Sequence, residues 1–530
     1  MSFQHVIFNC LTFVTLLCVA FVANSLQAKD TRPNLLFILT DDQAPYSLAA
    51  YGNKVCQTPN LDQLAARGMR IDQAYHMGAN KGAVCTPSRH MIMSGRTVWH
   101  IPTTSNRAAV LEALGNPVSP VDKETHVPES LELNTIGAVF NRAGYDTMRT
   151  CKRGNSYPAA NKQFTVVADQ SNRGGKEGGS DWHADQVLGF LKQRSASPDR
   201  KPFMVYFGFS HPHDPRYGNE PLLKKYGAVN QLPDDATPNP NAPALPINYL
   251  PKHPFNHGHM NLRDEVSVQG VGSRRDEATI RNEKGREYAC IENIDTQIGR
   301  VIDQLKDSGE LENTYVIFTS DHGIAIGRHG LMGKQSLYEH SWRVPYIVTG
   351  PGIAARSTAK GNIYLLDTLA TLCDLAGIDP PDTNEGTSFK PVLFGEKDTV
   401  RDVLFGVYCG GERPGIRCVR KGDWKLIKYE NSDGKVKETQ LFNLRENPFE
   451  LLAQHHDPAV IALTGNTPQA NQTNLASSPE YAAKRVEMES LLLSEMERFH
   501  DPFRFDEGYV NGKKTAKPKT KKSKQPAATK

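Results

Sequence analysis

Asn34-Leu35-Leu36-Phe37-Ile38-Leu39-Thr40, followed without a spacer by Asp41-Asp42, makes the clearest statement about architecture in this 530-residue chain. Its unbroken apolar run has strand length and predicts a strand buried on both faces, since a half-exposed strand would alternate apolar with polar residues. Similar signals follow along the chain. Leu61 to Arg67, introduced by Thr58-Pro59-Asn60 and stopped at Gly68, carries the start and stop marks of a helix, as does Thr135 to Arg142 before Gly144. Tyr145 to Arg149 then predicts a strand, Asp185 to Gln193 a helix, Pro202 to Phe209 a strand and Glu287 to Leu305 a long helix. Thr314 to Thr319 and Val344 to Val348 complete the series as strands. This alternation predicts an α/β fold: a mostly parallel central sheet flanked by helices.

Asp214 to Arg286 is rich in Pro, Asn and Gly and too long for an ordinary connection, so it is expected to shape a cleft. After a boundary near Phe394 to Thr399 the pattern changes. Val403 to Tyr408, Ile416 to Arg420, Trp424 to Tyr429 and Thr439 to Leu444 predict a small antiparallel sheet, with a helix near Glu480 to Phe499. The expected organisation is a catalytic domain over 30–395 and a smaller α+β subdomain over 400–505.

Both ends are distinctive. Residues 1–28 contain no Lys, Arg, Asp or Glu, and Val6 to Ala23 is mostly apolar, as in a cleaved secretory signal peptide; an uncleaved membrane anchor is the other reading. No later segment is long and apolar enough to cross a bilayer, so no stable membrane insertion is expected and localisation is secreted or periplasmic. Residues 511–530 hold eight lysines and no acids, and without them the formal charge of +4 becomes 4 − 8 = −4. The basicity therefore belongs to a tail expected to be disordered, and nucleic-acid binding is not supported. Of nine cysteines, none forms a Cys-x-x-Cys pair; Cys409 and Cys418 are spaced to bridge a hairpin, without sequence establishing that they do.

The predicted strands end in chemistry. Asp41-Asp42, His211-Pro212-His213-Asp214 and Ser320-Asp321-His322-Gly323 each follow an apolar run, and open parallel sheets gather such ends at one edge. Carboxylates crowded there call for a cation, and oxygen ligands suit calcium or magnesium. A second element is Cys85-Thr86-Pro87-Ser88-Arg89, which on a helix puts Arg89 one turn from Cys85 on the same face. Taken alone, it also reads as a helix N-terminus with Pro87 in its first turn and a buried free cysteine.

Cys-x-Pro-Ser-Arg resembles the maturation signature of the type I sulfatases of the alkaline phosphatase superfamily, in which the cysteine is oxidised to formylglycine (3-oxoalanine). In that family the aldehyde hydrate supplies the strong oxygen nucleophile that a sulfate ester demands. The likeness runs in five ordered blocks from about Arg32 to Leu452. It implies Asp41, Asp42, Asp321 and His322 as ligands of one divalent cation, with residue 85 as a further one, and Arg89, Lys152 and Lys334 as cations for the sulfate. It also implies His213 as the acid that protonates the leaving alcohol and His329 as an acid beside Lys334. Tyr338 to Pro345 and Gln440 to Leu451 resemble supporting motifs of the family.

Several positions depart from its pattern. Ser94 replaces Thr, Ala or Arg before Gly95. At 322 many members carry Asn, and the imidazole here admits manganese or another transition metal alongside calcium. Cys151 replaces a glycine, and Arg153-Gly154 replaces Trp-His, so a family histidine is missing at 154, with Arg153 or His211 as substitutes. The expectation is a secreted, metal-dependent sulfatase acting on sulfated carbohydrates and matured by a formylglycine-generating enzyme. A phosphonate or phosphate ester hydrolase with the same modified residue and a non-catalytic glycan-binding protein are the alternatives.

Overall fold

The computed structural model describes residues 31–103, 126–171, 179–197, 200–257, 261–410, 415–430 and 436–503. The expected signal peptide at 1–28 and the lysine-rich tail at 511–530 lie outside the described residues. The strands are β1 (Asn34–Asp41), β2 (Met69–Tyr75), β3 (Gly78–Ala79), β4 (Asp146–Thr150), β5 (Val166–Val167), β6 (Phe203–Pro212) and β7 (Thr314–Ser320), then β8 (Arg343–Thr349), β9 (Ser357–Tyr364), β10 (Val403–Tyr408), β11 (Gly415–Lys421), β12 (Trp424–Glu430) and β13 (Val436–Asn443). The longer helices are α1 (Pro59–Arg67), α2 (Cys85–Ser94), α3 (Ile136–Arg142), α4 (Ser180–Ser195), α5 (Glu277–Asp307), α6 (Asp367–Ala376) and α7 (Ala482–Arg498).

Eight strands form the main sheet in the order β5-β4-β6-β1-β7-β8-β2-β9. Only β8 runs against the rest, pairing antiparallel with β7 and β2. The expected α/β architecture is therefore present, with helices on both faces. β1 sits between β6 and β7, and all eight of its residues are buried. Leu36 and Ile38 pack into one core with Leu61 of α1, Val187 of α4 and Ile294 of α5. Leu35, Phe37 and Leu39 enter another with Ile92 of α2, Phe140 of α3 and Leu369 of α6. Burial on both faces is what an unbroken apolar run provides, at about 1.5–3 kcal/mol per side chain.

The small sheet has the order β13-β12-β11-β10-β3. β10 to β13 are antiparallel, as expected, and α7 packs on β11 and β12 through Met488, Leu492 and Met496. Its fifth strand is a surprise: Gly78–Ala79, just before the Cys85 helix, pairs in parallel with Val407 and Tyr408. The small sheet thus grips the segment that leads to Cys85. Cys409 and Cys418 are both buried and form no disulfide with each other; Cys418 stands opposite Gly406, out of register with Cys409.

The 214–286 stretch is less irregular than its composition suggests. It contains short helices at Glu220–Lys225 and Arg263–Val266, and α5 begins at Glu277, capped by Asp276 accepting from the Thr279 amide at 2.9 Å. Polar Glu283 and Arg286 hid that first part of α5 from an apolar-periodicity reading. Both are buried in an ion-pair chain, Arg216–Glu283–Arg286, with distances of 3.2 and 2.6 Å.

Candidate active site

Four neighbouring strands, β4, β6, β1 and β7, point their carboxyl ends the same way. Beyond those ends lie Cys151-Lys152, His213-Asp214, Asp41-Asp42 and Asp321-His322, and α2 presents Cys85 as its first residue. Asp42 has φ 69°, a left-handed conformation that a non-glycine residue holds only when its surroundings impose it. Gly323 has no room for a side chain, because a Cβ there would come within 2.1 Å of the His340 carbonyl oxygen. This close approach helps fix the turn that carries Asp321 and His322.

Cys85 Sγ is the centre of the arrangement. It lies 3.4 Å from Asp41 Oδ1, 3.1 Å from His322 Nε2, 3.4 Å from Lys334 Nζ and 3.9 Å from Lys152 Nζ. Lys152 Nζ donates to Asp41 Oδ2 at 2.5 Å and Lys334 Nζ to Asp42 Oδ1 at 2.8 Å. Arg89 Nε donates to Asp321 Oδ2 at 2.9 Å, and its Nη2 is 3.5 Å from Asp41 Oδ2. A ring nitrogen of His213 comes within 4.8 Å of Asp41, Asp42 and Cys85, while its Nδ1 faces the Asp214 carbonyl at 2.7 Å and carboxylate at 3.1 Å. Asp41, Asp42, Cys85, Arg89, Lys152, His213, Asp321, His322 and Lys334, all singled out from the sequence, therefore converge and are all buried.

Burial opposes every charge here, and the neighbours overcome it. Asp41 is raised by burial but held well below the usual carboxylate range by Lys152, His213 and Arg89; Asp42 is likewise lowered by His213 and Lys334. Burial and Asp41 push the Cys85 thiol up, yet Lys152, Lys334 and His322 bring it down to about 7. His322, which burial would keep neutral, is raised to about 10 by Asp321, Cys85 and Asp42. Together these groups form a positively lined pocket around a nucleophilic atom.

The residues also fit a divalent cation. Asp41, Cys85, Asp321 and His322 each offer a ligand atom within 4.8 Å of the others, and Asp42 adds a carboxylate to the same place. Among the described residues Oδ2 of Asp42 is buried with no hydrogen-bond partner, an acceptor that bound metal would satisfy. Three carboxylates with one imidazole suit calcium or manganese better than a thiolate-seeking ion.

Residues 33–378 match the sulfatase family, and residues 327–471 match the C-terminal part of N-sulphoglucosamine sulphohydrolase. The chain belongs to the sulfatase family. Membership makes it a sulfuric ester hydrolase. It is similar to an N-acetylglucosamine-6-O-sulfatase of Bacteroides thetaiotaomicron (24% identical, spanning 92% of this chain and 90% of that one) and to an arylsulfatase of Clostridium perfringens (26%, 92% and 98%). Among solved structures it resembles one in complex with its substrate D-glucosamine-2-N,6-O-disulfate, with TM-score 0.60, 23% identity, and 89% and 98% of the two chains covered.

Not every expected site residue joins the cluster of this sulfatase. His329 Nε2 meets the Glu450 carbonyl oxygen at 2.9 Å, and its ring stacks on Tyr338 with centroids 3.9 Å apart. Burial, with His340 and His455 close by, holds its pKa well below the usual imidazole value. A neutral ring packed against the small domain's closing motif is a structural support, and the acid role beside Lys334 finds no geometric backing. Arg153 directs Nε to the Asp169 carbonyl oxygen at 3.4 Å, and Gly154 faces open space. Cys151 accepts from Arg89 Nη1 at 2.8 Å and presses so close to Gly208 that a Cβ there would lie 2.2 Å from its sulfur.

Sequence reading missed a further shell. Arg263 donates to Asp214 Oδ1 at 2.7 Å, Gln335 to Asp264 Oδ2 at 2.7 Å, and Ser88 Oγ to the Asp321 carbonyl oxygen at 2.6 Å. Arg263, Asp264, Gln335 and Asn155 line a cavity of about 430 Å³ together with His213 and Lys334. Only the charged pair Arg263-Asp264 within a Pro- and Asn-rich stretch could have hinted at them.

Proposed function

We propose that this sulfatase hydrolyses sulfate monoesters carried on sugars, with residue 85 acting after conversion of Cys85 to formylglycine. The observation that carries the reading is the position of Cys85 Sγ, ringed by Lys152, Lys334 and His322 and backed by Asp41. The modified residue supplies an oxygen nucleophile, and a divalent cation held by Asp41, Asp42, Asp321 and His322, best calcium, supplies charge to offset the ester oxygens. Arg89, Lys152 and Lys334 bind and orient the sulfate through its oxygens. His213 donates from Nδ1 to Asp214, and although burial opposes the charge, the Asp42 and Asp41 carboxylates favour the doubly protonated ring, so that the nitrogen turned toward the cluster also carries a proton, which passes to the departing sugar oxygen.

A sugar substrate is supported by the cavity beside Lys334 and His213, whose volume lies within the range of small-molecule sites, and by the likeness to an enzyme named for N-acetylglucosamine 6-sulfate. Export and maturation by a formylglycine-generating enzyme belong to the same proposal. Residue 85 is 0% exposed, so its conversion has to precede folding. The test is a screen of defined sulfated saccharides, scored by released sulfate, on protein whose residue-85 peptide has by mass exchanged sulfur for oxygen and lost two hydrogens, as conversion of the thiol to the aldehyde requires. Matured protein that releases no sulfate from any sugar, or that turns over a nitrophenyl phosphate diester faster than nitrophenyl sulfate, overturns it. The second outcome is the one an imidazole at 322 keeps in play.

A further inference from the structure

Away from the Cys85 site, three histidines from distant parts of the chain meet. His100 follows α2 and the turn at Gly95; His126 comes from a separate segment; His500 stands two residues beyond the end of α7. Nε2 of His100 lies 2.9 Å from Nδ1 of His500, across 400 residues of sequence. The His126 ring lies 4.2 Å from that of His500 and 4.8 Å from that of His100, centroid to centroid. One nitrogen from each falls within 4.8 Å of the others. Among the described residues, every other such group of possible metal ligands draws on the Cys85 site or on His213 beside it.

We propose that His100, His126 and His500 bind a second metal ion, a divalent d-block cation of the zinc class, which ties the end of α7 to the loop following the Cys85 helix. The chemistry of the donors selects the metal: three imidazoles and no carboxylate in the direct set suit zinc, copper or nickel and not calcium. Glu385 accepts from Nδ1 of His100 at 2.5 Å, which fixes the tautomer and leaves Nε2 with its lone pair toward His500. Glu385 is itself held, by the Thr97 amide at 2.8 Å and by Arg96 at 3.4 Å. A carboxylate behind a histidine in this way is the usual outer partner of a metal-ligating imidazole.

The backbone at His500 is also preset. It has φ 56°, and the next residue, Asp501, is locked by Arg417 at 2.7 and 3.0 Å with both side chains fully buried. Ligand nitrogens around a tetrahedral zinc stand about 3.3 Å apart, given metal–nitrogen bonds near 2.0–2.1 Å. His100 and His500 are within a few tenths of an ångström of that spacing. His126 is exposed and turns its ring to complete the set, leaving a fourth position to water.

The experiment titrates calcium-loaded full-length protein, freed of other metals, with zinc alone. Wild type is compared with the double variant His126→Ala/His500→Asn and with His126→Ala alone, which changes one exposed ring and keeps the test decisive if the double variant does not fold. Wild type is expected to take up one more zinc per chain than either variant by elemental analysis after dialysis. Zinc should raise its Tm by several degrees where it leaves theirs unmoved. With cobalt in place of zinc, wild type alone should develop the visible bands of a tetrahedral site. Equal zinc uptake by wild type and His126→Ala, or no uptake by wild type, overturns the proposal. Metal content and Tm are both read independently of sulfatase activity.

Discussion

The cluster around Cys85 and the pair Arg417–Asp501 are both buried, yet they obey opposite rules. Arg417 grips Asp501 through two parallel hydrogen bonds of 2.7 and 3.0 Å, one cation to one anion, with Trp99 and Phe503 against the guanidinium. Around Cys85, three carboxylates, two lysines, an arginine and two histidines crowd one sulfur. There Asp42 sits in a left-handed conformation with an oxygen that has no partner among the described residues, and the group opens on a cavity. A satisfied pair holds the fold together; a crowded set with spare capacity is arranged for a ligand that completes it.

The largest expected difference between the two comes from Cys85→Ala. Against matured wild type it is expected to lower turnover of nitrophenyl sulfate by roughly 10⁶-fold, the scale seen when a nucleophile is removed, while thermal unfolding stays near that of wild type. Retained turnover would remove residue 85 from the chemistry. Arg417→Met should do the reverse, costing about 3–5 kcal/mol in urea unfolding because Asp501 is left charged without its guanidinium partner. Its kcat/KM per folded molecule should match wild type. Lys334→Met comes next, with kcat/KM reduced by roughly 10²–10³-fold, or about 2.7–4 kcal/mol. Its stability loss should be smaller than that of Arg417→Met, since Asp42 keeps His322 at 3.3 Å.

The same contrast separates what the sequence disclosed from what it hid. β1, β6 and β7 were legible because burial on both faces leaves an apolar run, and their catalytic ends because Asp and His follow directly. β2 (MRIDQAY) and β9 (STAKGNIY) were not, since partly exposed strands near the sheet edge carry charges and small polar residues that blur the pattern. β3 is two residues long and is a strand only because β10 lies beside it. In the site, residues on strand ends were found, while Arg263 and Asp264 on the short helix of the 214–286 stretch and Gln335 beside Lys334 were not. His329 misled because the motif around it fixes a position in sequence, while its ring turns toward Tyr338 and Glu450. The Arg417–Asp501 pair carried no local signal at all, its members being 84 residues apart.

A finer probe of the paired region lies next to it. Glu430 closes β12, is 2% exposed, and has no hydrogen-bond partner for either carboxylate oxygen among the described residues. Burial raises its pKa to about 8, against the lowering influence of Arg417. The folded value therefore lies above that of the unfolded chain, about 4.3, and the native state keeps a proton that the unfolded state gives up. Stability is thus greatest below the unfolded value and declines as pH rises to about 8, by at most about 1.4 kcal/mol per unit. Glu430→Gln cannot ionise. Its urea midpoint should match wild type near about pH 4 and exceed it increasingly toward about pH 8; parallel profiles would mean the carboxyl is solvated after all. Placed on Arg417→Met, which strips away the cation that lowers this carboxyl, the same change should stabilise by about as much as on wild type at neutral pH and by more only above about pH 8, where the carboxyl of wild type ionises and that of Arg417→Met stays protonated.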